Sequence, residues 1–301
     1  MTVEESTHRS SYREGKHQLY SIRWMLFFVV IVQTAVTVAA KIAASFLPEP
    51  PPVYLQMLVI ELFAYLLPLS LYARENRVLT VRDAQQKLGL KSFRPALLPL
   101  ILLAGIGCQF FMIILDLPIS LLMGQSDGYI PKTPMELAAA IIVIAVIPAV
   151  FEEFLLRGIV YGVMAELNTK AAWIFSTVMF ALMHGSIPGL LGYLFLGAVL
   201  VIVLQRTGSL YACMIFHMVN NITALLLSYF SSGLFETPAA TIWIFVAGIL
   251  IFILGVMGLL LATRRPAQIR QIKTVDFLGQ SFINLPVLLC LAGIIAVWYF
   301  S

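Results

Sequence analysis

The chain has 301 residues, 60% of them hydrophobic and 11% charged, with a mean hydropathy of +0.95. A soluble domain carries about a quarter charged residues, so the composition excludes an ordinary soluble protein and indicates an integral membrane protein. The formal charge of +4 suits anionic lipid headgroups and gives no ground for a nucleic-acid partner.

Residues 1–23 are polar and show no small-residue cleavage site after a short apolar core, which predicts a cytoplasmic N-terminal tail and an uncleaved first span. From residue 24 to 301 a single membrane domain is expected. Roughly 20 apolar residues cross the hydrocarbon as a helix. Candidate runs are Trp24 to Phe46, Val53 to Ala73, Ala96 to Leu122, Met135 to Leu156, Ala171 to Met183, Ile187 to Leu204, Leu210 to Phe230, Thr241 to Leu261 and Phe282 to Phe300. The fifth is the shortest. No ten-residue segment alternates with period two, which disfavours a β-barrel. The expected fold is all-α, a polytopic bundle of about 8–9 transmembrane helices.

Cytoplasmic loops hold an excess of Lys and Arg. With the N-terminus inside, all but Lys41 and Lys132 of the 19 basic residues fall on the cytoplasmic side. Pro50-Pro51-Pro52 and Ser126-Asp127-Gly128 then mark external turns, and Thr207-Gly208-Ser209 an internal one. The short connections point to a prokaryotic plasma membrane. Cys108, Cys213 and Cys290 lie in different runs and read as small buried hydrophobes.

Polar residues at membrane depth carry the functional information, because charge there is costly unless paired or put to use. In V-F-E-E-F-L-L-R-G, Glu153 and Arg157 are four apart and share a helical face. Glu152 points about 100° aside and needs a partner from another helix. His184, with Phe180 one turn before it, lies about as far from a turn at Asn168-Thr169 as Glu153 does, so an antiparallel hairpin brings both to one depth. In H-M-V-N-N, His217 and Asn221 share a face and Asn220 turns away. Measured from the internal turn at Gly208, however, His217 and Glu152 come out at different depths.

Glu, His, His and Asn on three helices are the parts of a hydrolytic site. A buried carboxylate can take a proton from water, and a His can orient that water or protonate a leaving nitrogen. A second His and an amide can donate to an oxyanion. Glu152, His184 and His217 would equally serve as a zinc set with water in the open position, although no HExxH is present. Each piece also has a structural reading: a His bonding to a neighbouring helix, Glu153 with Arg157 as a register-fixing pair, and Gly158 and Gly162 as sites of close helix contact.

E-E-F-L-L-R, F-A-L-M-H and H-M-V-N-N fit EExxxR, FxxxH and HxxxN in that order, and Arg206 to Leu210 is similar to the usual lead-in of the third. By these motifs the region of about 135–230 resembles the CAAX protease and bacteriocin-processing family of intramembrane proteases, which includes the Ras-converting endopeptidases. The resemblance implies Glu152 as water-activating base assisted by His184, His217 and Asn221 as the oxyanion site, and Glu153 and Arg157 in support. It implies a membrane-embedded or lipid-anchored peptide or protein substrate, and leaves open both a divalent metal such as zinc and a metal-free glutamate mechanism. A catalytically silent scaffold or immunity protein of the same fold is the rival from another class.

Overall fold

The computed structural model describes residues 3–47, 51–75, 82, 85, 88–124, 129–264 and 274–300. The expected turn at Ser126-Asp127-Gly128, much of the basic stretch between Arg74 and Arg94, and Arg265, Arg270 and Lys273 lie outside them. Among the described residues the secondary structure is helical throughout, as lipid requires of a chain that satisfies its backbone within each segment. The helices are α1 (Val3–Ser45), α2 (Val53–Glu75), α3 (Leu98–Met123), α4 (Pro134–Leu167), α5 (Thr169–Met183), α6 (Leu190–Thr207), α7 (Leu210–Tyr229), α8 (Pro238–Ala262), α9 (Thr274–Phe282) and α10 (Leu285–Phe300).

Seven of these are long and apolar enough to cross a membrane. The other two expected runs become shorter helices: α5 has 15 residues and α10 has 16. At 1.5 Å per residue α5 is about 22 Å long, less than the roughly 30 Å of hydrocarbon, so it is too short to cross the hydrocarbon by itself. His184 is its C-cap. The α1 helix starts well ahead of the first apolar run, so the polar N-terminal stretch and the first span share one helix.

Local chemistry sets the ends. Thr133 caps α4 by accepting from Glu136 N, ahead of Pro134 at the first helical position. Asn168 caps α5 through Oδ1 to Ala171 N at 2.8 Å, which puts the expected polar turn between α4 and α5 where it was read. Gly208, left-handed at φ 65°, ends α6. The N-terminus of α6 has no cap of its own; Asp116 of α3 reaches across and accepts from Gly192 N at 2.7 Å.

The α4 rod is the axis of the bundle. It packs against α7, α5, α2 and α1, while α3 joins α6, α7 and α8. The α3–α8 seam is made by glycine: a Cβ at Gly107 would overlap the Phe252 backbone, and one at Gly255 the Ala104 backbone, so the two helices meet main chain to main chain. Two π-helical stretches, Ile141–Val146 and Phe154–Tyr161, interrupt α4 on either side of Glu152 and Glu153. Wide turns of this kind are rare and concentrate at functional sites. All three cysteines are buried free thiols.

Candidate active site

Four elements deliver the polar side chains: α4 brings Glu152, Glu153 and Arg157, the end of α5 brings His184, α6 brings a main-chain carbonyl, and α7 brings His217. Two layers result, a closed one and an open one.

In the closed layer Glu153 and Arg157 are 0% and 1% exposed. Arg157 Nη1 donates to Glu153 Oε1 at 3.0 Å, Nη2 donates to the Gly197 carbonyl at 3.1 Å, and the guanidinium lies 4.4 Å over the Phe180 ring. Glycine on α6 eases this contact, because a Cβ at Gly197 would press on Phe180 Cδ1 and Thr177 Cα at 3.3 Å each. The same Glu153 oxygen stands 3.0 Å from His217 Nδ1. A carboxylate beside an imidazole nitrogen accepts its proton, so Nδ1–H donates to Glu153 and Nε2 faces the other way.

In the open layer Glu152 Oε2 is 3.7 Å from His184 Nε2 and 4.0 Å from His217 Nε2. His184 Nδ1 lies 2.8 Å from the Phe180 carbonyl, which can only accept, so this nitrogen carries a proton and Nε2 turns toward Glu152. Tyr193 of α6 stacks on the His184 ring with centroids 3.9 Å apart. Glu152 Oε2 is buried and has no hydrogen-bond partner among the described residues. The carboxylate expected to need a partner on another helix thus meets two histidines, at distances beyond a direct hydrogen bond and within reach of one bridging water.

The depth mismatch disappears because the α4–α5 and α6–α7 turns sit at different levels. Gly158 packs beside Leu210 at the start of α7 and beside Leu88, and Leu210 N donates to Gly89 O at 2.9 Å while Ser209 Oγ bonds the Lys91 carbonyl. From that level Glu152 is six residues back along α4 and His217 seven forward along α7, each about 10 Å of helix. The rest of α4 extends past the α6–α7 turn.

Asn221 stands apart from this group. It is half-buried on α7, one turn beyond His217, and its amide makes no hydrogen bond to Glu152, His184 or His217. Asn220 is buried with its Oδ1 unpartnered among the described residues. The donor types would suit zinc, and both histidines hold Nδ1 on an acceptor as metal ligands do. Two donors about 2.0–2.1 Å from a tetrahedral zinc lie about 3.4 Å apart, closer than either Glu152–His pair. Among the described residues no group of three His, Cys, Asp or Glu is spaced to hold a metal ion, so a zinc would require Glu152, His184 and His217 to draw closer together.

Glu152 and His184 open into a cavity of about 340 Å³. Part of its wall comes from α1 and α2 through Gln33, Thr37, Glu61 and Tyr65, which sequence reasoning did not single out. Glu61 carries the signal that exposed Glu152, a lone carboxylate in an apolar run, but with no polar neighbour at helical spacing to support it. Tyr65 stacks on Phe151 with centroids 5.8 Å apart.

A polytopic helical protein with membrane-length spans, in which two histidines face one carboxylate, is thereby defined. Residues 134–223 match the family described as type II CAAX prenyl endopeptidase, Rce1-like. The match covers just under a third of the chain and includes every motif residue above; it is consistent with the CAAX protease family and supports protease function in general terms. Neither the curated proteins nor the solved structures compared with the chain gave a match.

Proposed function

We propose that the chain is an intramembrane endopeptidase that hydrolyses a peptide bond of a membrane-associated protein or peptide, with Glu152 as the base. The observation that carries this reading is the convergence of two imidazole Nε2 atoms on one unpartnered Glu152 oxygen. Glu153 Oε1 is held directly by Arg157 and His217, whereas Glu152 Oε2 faces two imidazole nitrogens with no direct hydrogen bond to either.

In the proposed reaction Glu152 takes a proton from a water held between it and His184, and the resulting hydroxide attacks the scissile carbonyl. His217 donates from Nε2 to the oxyanion when its ring carries both protons, and Asn221, one turn further along the same face, adds an amide donor. The proton on Glu152 then passes to the leaving nitrogen, directly or through His184. Glu153 and Arg157 position His217. The step is metal-free.

The charge pattern supports an N-terminus inside, with the cavity reached from the cytoplasmic leaflet and the substrate's apolar part still in the bilayer. Glu152→Gln keeps shape and hydrogen bonding while removing the base. In purified protein assayed on lipidated or membrane-inserted peptides it should lower turnover by at least about a thousandfold, the scale on which loss of a catalytic group is felt. Turnover or phenotype that survives the change would leave the silent scaffold or immunity protein as the better reading. Metal analysis beside the same assay checks the chemistry: protein without stoichiometric metal should keep turning over, and activity lost to a chelator and restored by zinc would overturn the metal-free step.

A further inference from the structure

Resting on the protease reading, we propose that the α1–α2 wall of the cavity is a subsite for a basic side chain of the substrate, with Glu61 as the residue that recognises it. Glu61 lies in α2, outside the residues that match the family, yet it lines the same cavity as Glu152 and His184. Its Oε2 is buried without a hydrogen-bond partner among the described residues. A carboxylate enclosed at membrane depth is costly unless something pairs with it.

Nothing in the cavity wall supplies that partner. Among the described residues its lining holds two carboxylates, Glu61 and Glu152, and no Lys or Arg. Arg157 does not line the cavity, and its Nη1 and Nη2 are taken by Glu153 and the Gly197 carbonyl. The composition of the wall suits a cation on an alkyl stem. Met57, Ile60, Val143 and Ile144 are apolar lining residues that can cover four methylenes while the charged head meets the polar ones. Gln33 and Thr37, one turn apart on α1, line the same cavity and add oxygen acceptors. An ammonium group has three donors to distribute, and Glu61, Gln33 and Thr37 can share them.

The test uses matched lipidated peptides that carry Lys or norleucine at successive positions on both sides of the cleaved bond, with wild-type and Glu61→Gln proteins in nanodiscs. Cleavage is measured as the Lys-to-norleucine ratio of kcat/KM. Binding of the same peptides is measured on Glu152→Gln protein with and without Glu61→Gln. At one position wild type should favour Lys by at least about tenfold, as expected for an enclosed charge pair, and Glu61→Gln should bring the ratio near one. Cleavage without Lys preference at any position, or with a preference that survives Glu61→Gln, overturns the subsite and leaves the protease reading standing. Lys-selective, Glu61-dependent binding with no cleavage of any peptide supports the subsite and overturns the protease reading.

Discussion

Glu152 and Glu153 are adjacent in sequence and opposite in situation, and the contrast can be measured. Glu153 Oε1 is shared between Arg157 and His217 at 3.0 Å each, so its charge has a cation beside it even though its Oε2, like that of Glu152, makes no hydrogen bond among the described residues. Glu152 Oε2 is buried and unpartnered. Glu152→Gln removes an uncompensated charge and should therefore abolish turnover while leaving the thermal midpoint in detergent equal to or above that of wild type, the usual opposition of function and stability at an active site. Glu153→Gln should lower both, because it unpairs Arg157 and releases the His217 ring. Arg157→Met should be the most damaging single change of the three. It leaves a buried carboxylate without its cation, a loss of about 3–5 kcal/mol, and Glu153→Gln/Arg157→Met should recover part of that stability. A double variant no more stable than Arg157→Met alone would show that Arg157 acts through packing on Phe180 rather than through its charge.

Helices hold these atoms in register by close approach and by capping. Gly197 lets α5 lie against α6 and exposes the carbonyl that Arg157 uses. Gly197→Leu should wedge the two apart, carry Phe180 and His184 away from Glu152, and lower turnover far more than the thermal midpoint. Asn168→Ala removes the α5 cap at the far end of the same helix and should cost about 1 kcal/mol with little change in turnover per folded molecule; calorimetry beside the assay separates the two. This level also marks what the sequence could and could not reveal. Glu152, Glu153, Arg157, His184 and His217 were legible because polar groups in an apolar run stand out whatever the fold, and helical spacing already separated Glu152 from the Glu153–Arg157 pair. The relative depth of α4 and α7 was not, because it depends on Leu88–Lys91 packing against the α6–α7 turn, a contact between distant segments with no local pattern. The π-helical turns of α4 lie in ordinary apolar sequence, Ile141–Val146 and Phe154–Tyr161, and nothing in that composition announces a wider turn. Asp116, which caps α6 from α3, could be noticed as a lone carboxylate but not assigned a partner.

For the molecule as a whole, the open question with functional weight is which face of the membrane the cavity serves. The proposed orientation, from the distribution of Lys and Arg, has the α4–α5 turn inside and the loop before α4 outside, with the cavity reached from the inner leaflet. Arg157 is 1% exposed and cannot report on it, since a thiol there would be shielded from either side. Lys170 at the start of α5 and Lys132 before α4 are both exposed and lie at opposite ends of the α4 rod. The native thiols Cys108, Cys213 and Cys290 are buried, so replacing them with Ala or Ser in the background changes interior positions only and leaves no competing surface thiol. In intact cells a membrane-impermeant maleimide should label Lys132→Cys and should reach Lys170→Cys only after permeabilisation. The reverse pattern would place the α4–α5 turn outside, and the cavity would then serve substrates presented at the outer leaflet, with the charge asymmetry of the chain left without a topological cause.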